Sequence, residues 1–89
     1  MKHLNEIRLR VLEISIDLEE KLRILGGYGN GLIEKARSIK GYLNRHTFKN
    51  IKFIGRIRNK LVHKANPDLN IKIGVLEKVY SEVLNELPI

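Results

Sequence analysis

With 89 residues, 17 basic against 10 acidic side chains and no cysteine, the chain reads as a single basic domain, 1–89, with neither a disulfide framework nor a cysteine-type zinc site open to it. A domain of this size buries roughly 60–65% of its unfolded surface, so self-association would add stability that a small core lacks. Its longest apolar runs are too short to span a bilayer and MKHLNEIRLR has no signal-peptide core, which predicts a soluble, cytoplasmic protein with no membrane partner.

Taken in order, the chain reads as all-α. A first helix is expected from about His3 to Leu25, because Leu4, Ile7, Val11, Ile14, Leu18, Leu22 and Leu25 recur at spacings of three and four. Val11, Leu12 and Ile16 widen that face enough for more than one neighbour. GGYGN, residues 26–30, stops the helix with glycines suited to a left-handed cap. A second helix follows, with Leu32, Ala36, Ile39 and Leu43 on one side. Asn44 to His46 makes the next break, and Thr47 is the predicted N-cap of a third helix starting at Phe48. Asn66-Pro67-Asp68 ends it, since proline lacks a donor and restricts its predecessor.

The last segment opens ambiguously. Leu69, Ile71, Ile73 and Val75 alternate as a strand would, whereas Leu76, Val79, Tyr80, Val83, Leu84 and Leu87 have a helical period. No other segment offers a strand for pairing, so a fourth helix is predicted from about Asn70 to Leu87. Four helices with short connections make a compact antiparallel bundle.

Charge is unevenly spread. Residues 1–33 carry five basic and five acidic side chains, residues 34–64 ten and one, and residues 65–89 two and four. A local excess of that kind marks contact with polyanion, nucleic acid first and an acidic partner protein or membrane surface next, with a solvated lysine-rich surface as the plainer reading. On an ideal helix the basic face of the third element holds Lys49, Lys52, Arg56 and Lys60 at about 100–180° from Ile51, with His63 at about 120° and Asn59 at about 80°. Lys64 extends the same charge run.

Arg58 is the anomaly. It falls near the centre of the apolar stripe of Ile51, Ile54, Leu61, Val62 and Ala65, and a desolvated guanidinium is costly unless something anionic or polar meets it. It also lies roughly 140° from His63 on ideal geometry. The two converge only if the helix loosens, if the arginine curls over its edge through Asn59, or if two copies of the helix meet.

RNKLVH, residues 58–63, after the apolar FIGRI, resembles the signature of HEPN domains (higher eukaryote and prokaryote nucleotide-binding): an arginine, four to six residues, then a histidine, often with a polar residue straight after the arginine. Arg58, Asn59 and His63 match it with four residues between arginine and histidine, and the match covers residues 53–63. The resemblance implies a HEPN-like helical bundle and a metal-independent endoribonuclease. It further implies a homodimer whose two motifs face one cleft, and the toxin of a toxin–antitoxin pair with a cognate antitoxin protein as one setting. On that reading Arg58, Asn59 and His63 are the catalytic set, and Lys49, Lys52, Arg56, Lys60 and Lys64 hold the RNA backbone. One toxin branch of the family carries a tyrosine two positions after the histidine; Ala65 stands there, so regulation through that tyrosine is not implied.

The residue types suit the chemistry. RNA cleavage through its own 2′-hydroxyl needs a proton removed, charge stabilised on a crowded phosphate, and a proton delivered to the leaving 5′-oxygen. Histidine titrates near neutrality and serves as base or acid. Arginine offers a planar fork matched to phosphate. Asn59 shares a helix side with His63 and suits orienting the ring or binding phosphate. No carboxylate cluster suggests a metal, and GGYGNG lacks the lysine and strand of a phosphate loop, so neither metal nor cofactor is expected.

Plainer readings stand beside these. His63 suits a cation at a helix C-terminus, and Arg58 suits a bridge to Glu13 or Glu20. His46 reads as a solvated loop residue, and Tyr28, Tyr42 and Tyr80 as packing, with Tyr42 able to stack a base. Two other functions fit the same residues: a non-catalytic helical module binding nucleic acid or nucleotide, and a small assembly protein with a basic docking face.

Overall fold

A computed structural model describes residues 2–63 and 71–88, with side chains from Asn5 onward. Helix α1 spans Lys2–Ile24, α2 Gly31–Ser38, α3 Arg45–His63 and α4 Ile73–Glu86, with a 3₁₀ turn at Lys40–Tyr42. The described residues contain no strand, and the four helices pack as an all-α bundle. None of these helices is long and apolar enough to cross a membrane.

The periodicity of α1 becomes its packing. Ile7, Val11, Ile14, Leu18 and Leu22 are buried and share one core with Leu32 and Ala36 of α2, Phe48, Ile51, Ile54 and Ile57 of α3, and Leu76 and Val83 of α4. Each of the Val, Leu, Ile and Phe side chains among them contributes about 1.5–3 kcal/mol when fully buried. Of the residues expected to widen the α1 face, Val11 is in the core, while Leu12 and Ile16 remain 41% and 68% exposed. The other helices all pack on one side of α1 and leave that flank bare. Tyr28 and Tyr42 are likewise exposed rather than packed.

Glycine ends α1 as expected. Gly27 N–H donates to Leu22 O at 2.7 Å and Gly26 N–H to Arg23 O at 3.0 Å, with Gly26 at φ +98°; this is the Schellman arrangement. The second helix is shorter than expected. It ends at Ser38, and Ile39 and Leu43 enter the core from the tighter turn that follows.

The start of α3 differs from the expectation. Asn44, not Thr47, caps it: its Oδ1 accepts the Thr47 N–H at 2.8 Å, and its carbonyl accepts the Phe48 N–H at 3.0 Å. Thr47 lies one turn in, fully buried, and its hydroxyl donates to the Glu86 carboxylate of α4. A threonine three residues after an asparagine fits either role from sequence, and the long-range partner decides. The fourth helix begins at Ile73 rather than Asn70, and Ile71 packs on the core from non-helical backbone. The expected stop at Asn66-Pro67-Asp68, together with Leu69 and Asn70, lies outside the described residues.

Gly55 sets the distance between α2 and α3. A Cβ built on it would stand 2.5 Å from Ile33 Cγ1 and 3.0 Å from Cδ1. Gly55→Val is therefore expected to cost about 1–3 kcal/mol by overpacking, read as a lowered Tm, with Gly55→Ala smaller in effect. An unchanged Tm for the valine variant would contradict the close approach.

A polar clasp joins α1 to α4. Arg10 pairs with Glu77 through two guanidinium nitrogens, the second bond at 2.8 Å, and its charge lies 5.4 Å from the Tyr80 ring centroid. The Tyr80 hydroxyl donates to Asp17, which also pairs with Lys21. Desolvation raises the Asp17 pKa, but hydrogen bonds from Lys21 and Tyr80 outweigh it and hold the carboxyl below its ordinary value. The Arg10 hydrogen bond lowers Glu77 likewise. Desolvation, then the bond to Asp17, pushes Tyr80 up to about 12.

Stability carried by the two depressed carboxylates is present above their ordinary pKa near 4 and is lost as pH falls below it. Stability carried by the raised phenol is present below pH ~10 and is lost as pH climbs from there towards 12. Thermal melts across pH are expected to decline at both ends. Tyr80→Phe should flatten the alkaline decline, and an unaltered alkaline limb in that variant would refute the assignment.

Candidate active site

The second half of α3 forms one wall of a cleft of about 490 Å³ lined by Arg58, Asn59, His63 and Gly55 of α3, Asn30 to Glu34 at the start of α2, and Glu19 of α1. The fold creates it in steps. Gly55 lets α2 lie close and Ile33, in the first turn of α2, fills the contact; because α2 begins there, the next turn of α3 is left uncovered. Arg58 occupies that turn and is half-buried.

Arg58 thus falls at the angle of the core stripe but beyond the point where α2 covers it. Ile51, Ile54 and Ile57 are buried, Leu61 packs partly on the core, and Val62 is 52% exposed. The stripe frays towards the end of α3.

Helix α3 runs unbroken through His63, so it does not loosen to bring the motif together. Instead Arg58 leans over the edge: its Nη1 lies 3.4 Å from Asn59 Oδ1, a long donor–acceptor contact. In this way Arg58, Asn59 and the exposed His63 border the same cleft within a single chain.

Among the described residues, no ion pair joins Arg58 to a carboxylate. Glu20, one of the expected structural partners, is held by Arg23 three residues on. Glu13 is exposed. Of the two acidic residues on the cleft wall, Glu19 is paired with Lys35 at 3.2 Å, and Glu34 accepts the Asn30 N–H at 3.4 Å.

The start of α2 adds a further feature to the cleft. Asn30 stands in the N-cap position and makes no side-chain cap, leaving the first-turn N–H groups of α2 without that partner beside the cleft. The positive end of a helix dipole and the Arg58 guanidinium therefore lie on one cavity, beside the Glu34 carboxylate in the first turn of α2. An asparagine before a short helix is the signal that pointed here, but which cavity it would face was set by Gly55.

The basic residues fall on another side of α3. Lys49, Arg56 and Lys60 are exposed and Lys52 is half-buried, with its ammonium 5.1 Å from the Phe48 ring centroid. Lys64 lies outside the described residues. His46, expected in a loop, is in the first turn of α3, its Nε2 3.6 Å from Glu82 Oε2.

No group of three or more His, Cys, Asp or Glu able to hold a metal ion occurs among the described residues. Comparisons with protein-family models, with curated proteins and with solved structures return no match.

Proposed function

We propose that the chain is a metal-independent endoribonuclease of the HEPN type, acting on RNA as a homodimer in the cytoplasm. The observation that carries this reading is the meeting of Arg58, Asn59, His63 and the uncapped start of α2 around one cleft.

The chemistry follows from the groups present. A scissile phosphate held by the α2 amides and the Arg58 fork places its developing charge against fixed donors, and such donors contribute most where charge develops. Asn59 sits between the arginine and the histidine and hydrogen-bonds the phosphate or the ring. His63 takes the proton from the 2′-oxygen, which attacks phosphorus; the 5′-oxygen leaves with a proton, giving a 2′,3′-cyclic phosphate and a 5′-hydroxyl. Each chain supplies one such histidine, so a second copy supplies the other proton-transfer group.

The surface that supports a dimer is the bare flank of α1. Leu9, Leu12 and Ile16 are 64%, 41% and 68% exposed and lie on one side of the helix. One turn further, Glu19 reaches the cleft, so a partner seated on this flank adjoins the site. Two chains of net charge +7 repel unless they meet where charge cancels, and the five basic and five acidic side chains of residues 1–33 cancel. A second copy is therefore the occupant that this flank suits. A ribonuclease also needs restraint in the cell, and an antitoxin covering the cleft is the further partner that this reading implies.

Incubation of the purified chain with single-stranded RNA and a tRNA pool in EDTA tests the proposal. Fragments ending in 2′,3′-cyclic phosphate are the expected result. Salt-sensitive retention of RNA without fragments would leave a binding module in place of the enzyme.

A further inference from the structure

On the other side of α3 from Arg58, a hollow of about 350 Å³ is lined by Lys49, Asn50, Lys52, Phe53 and Arg56 of α3 and Val79 of α4. It adjoins a second hollow of about 680 Å³, with which it shares Lys49 and Lys52, formed with Lys40, Arg45, His46 and Phe48. Phe48 is 8% exposed and belongs to the core, and the ammonium groups of Lys40 and Lys52 lie 5.3 and 5.1 Å from its ring centroid. Phe53 differs: it is 38% exposed, and three cations and an amide share its hollow.

We propose that the Phe53 hollow is a binding site for single-stranded RNA, in which a base stacks on the Phe53 ring while Lys49, Lys52 and Arg56 hold the flanking phosphates. An accessible aromatic face beside a row of cations is the combination that single strands use, because every base has a π-face and every linkage a charge. A duplex keeps its base faces covered by neighbouring pairs and meets only the cations. An acidic peptide would likewise use the cations and leave the ring idle. Two carboxylates that reach α3 from α4 are hydrogen-bonded to it: Glu82 accepts from Asn50 at 3.2 Å, and Glu86 accepts from Thr47.

The position of the shelf deepens the ribonuclease reading, on which it rests only for its link to cleavage. By helix rise, Lys52 is about 16 Å along α3 from His63. The exposed Lys60 lies between them, on the side that leads from the shelf towards the cleft. A strand gripped at Phe53 continues past Lys60 to the site, which makes single-stranded RNA, rather than duplex, the substrate class.

The test reads binding alone, so a failure of catalysis leaves it intact. Fluorescence anisotropy would use a 2′-O-methyl RNA of about a dozen nucleotides; lacking the attacking hydroxyl, it cannot be cut. The same strand in a blunt duplex, and polyglutamate as competitor, complete the set. Phe53→Ala and Phe53→Leu are each expected to weaken single-strand binding about ten- to a hundredfold with little change in salt dependence, and Phe53→Trp to retain it. Lys52→Ala with Arg56→Ala should reduce the slope of log affinity against log salt by about 1.4, at roughly 0.7 per phosphate contact. Circular dichroism establishes that each variant is folded, and Phe53→Leu keeps the apolar bulk should alanine unsettle the helix. Wild-type affinity in Phe53→Leu, equal binding of the duplex, or equal competition by polyglutamate would each overturn the proposal.

Discussion

His63→Ala is expected to lower RNA cleavage in EDTA by about 10²- to 10⁴-fold, the range that one positioned acid–base group supplies. Because His63 is exposed at the end of α3, the same variant should melt within about 0.5 kcal/mol of the parent chain. Loss of cleavage with retained Tm is what separates a catalytic histidine from a cation that merely completes the helix dipole. Arg58→Ala should lose about 10²- to 10³-fold, the range that removal of one donor to a developing oxyanion costs elsewhere. Arg58→Lys should recover only part of it, since an ammonium keeps the charge and lacks the fork. Undiminished cutting by His63→Ala would remove the motif from the site altogether. Undiminished cutting by Arg58→Ala would assign phosphate binding to the start of α2 alone.

Ile16→Glu is expected to convert a dimer into monomers in sedimentation velocity, and to make cleavage depend steeply on protein concentration. Ile16 is 68% exposed in the single chain, so the substitution costs the monomer little. At a two-fold interface it acts twice. About 2–3 kcal/mol of lost apolar burial per protomer, before any cost of burying the carboxylate, weakens association on the order of a thousandfold or more. A parent chain that is monomeric at high concentration yet cuts RNA at full rate would defeat the dimer and leave His63 as the single proton-transfer group of its kind in the site. A dimer unaffected by Ile16→Glu would move the interface off α1.

The two predictions differ in how far the sequence reached towards them. RNKLVH stood out as a unit through its resemblance to the HEPN signature, and its residue types suit phosphate chemistry. The flank of α1 was legible only as apolar: Leu12 and Ile16 read as additional core, because periodicity reports which side of a helix is apolar and not whether another helix covers it.

Where one helix accounts for its own structure, the sequence by itself was sufficient. The spacing of Ile7, Val11, Ile14, Leu18 and Leu22 specifies a helix with one buried face, and the paired glycines at 26 and 27 stop it by a local hydrogen-bonding motif. Four such segments joined by short connections leave an all-α bundle as the arrangement that buries their stripes. Whatever depends on what lies opposite was decided by the tertiary structure. Asn44 rather than Thr47 caps α3, because the buried threonine hydroxyl is taken by Glu86. Arg58 sits in the apolar stripe because angle around a helix says nothing of coverage along it: α2 packs onto Gly55 and begins there, and the arginine occupies the turn it leaves open. That vacancy, and the uncapped helix start beside it, brings the arginine, the asparagine and the histidine to one cavity.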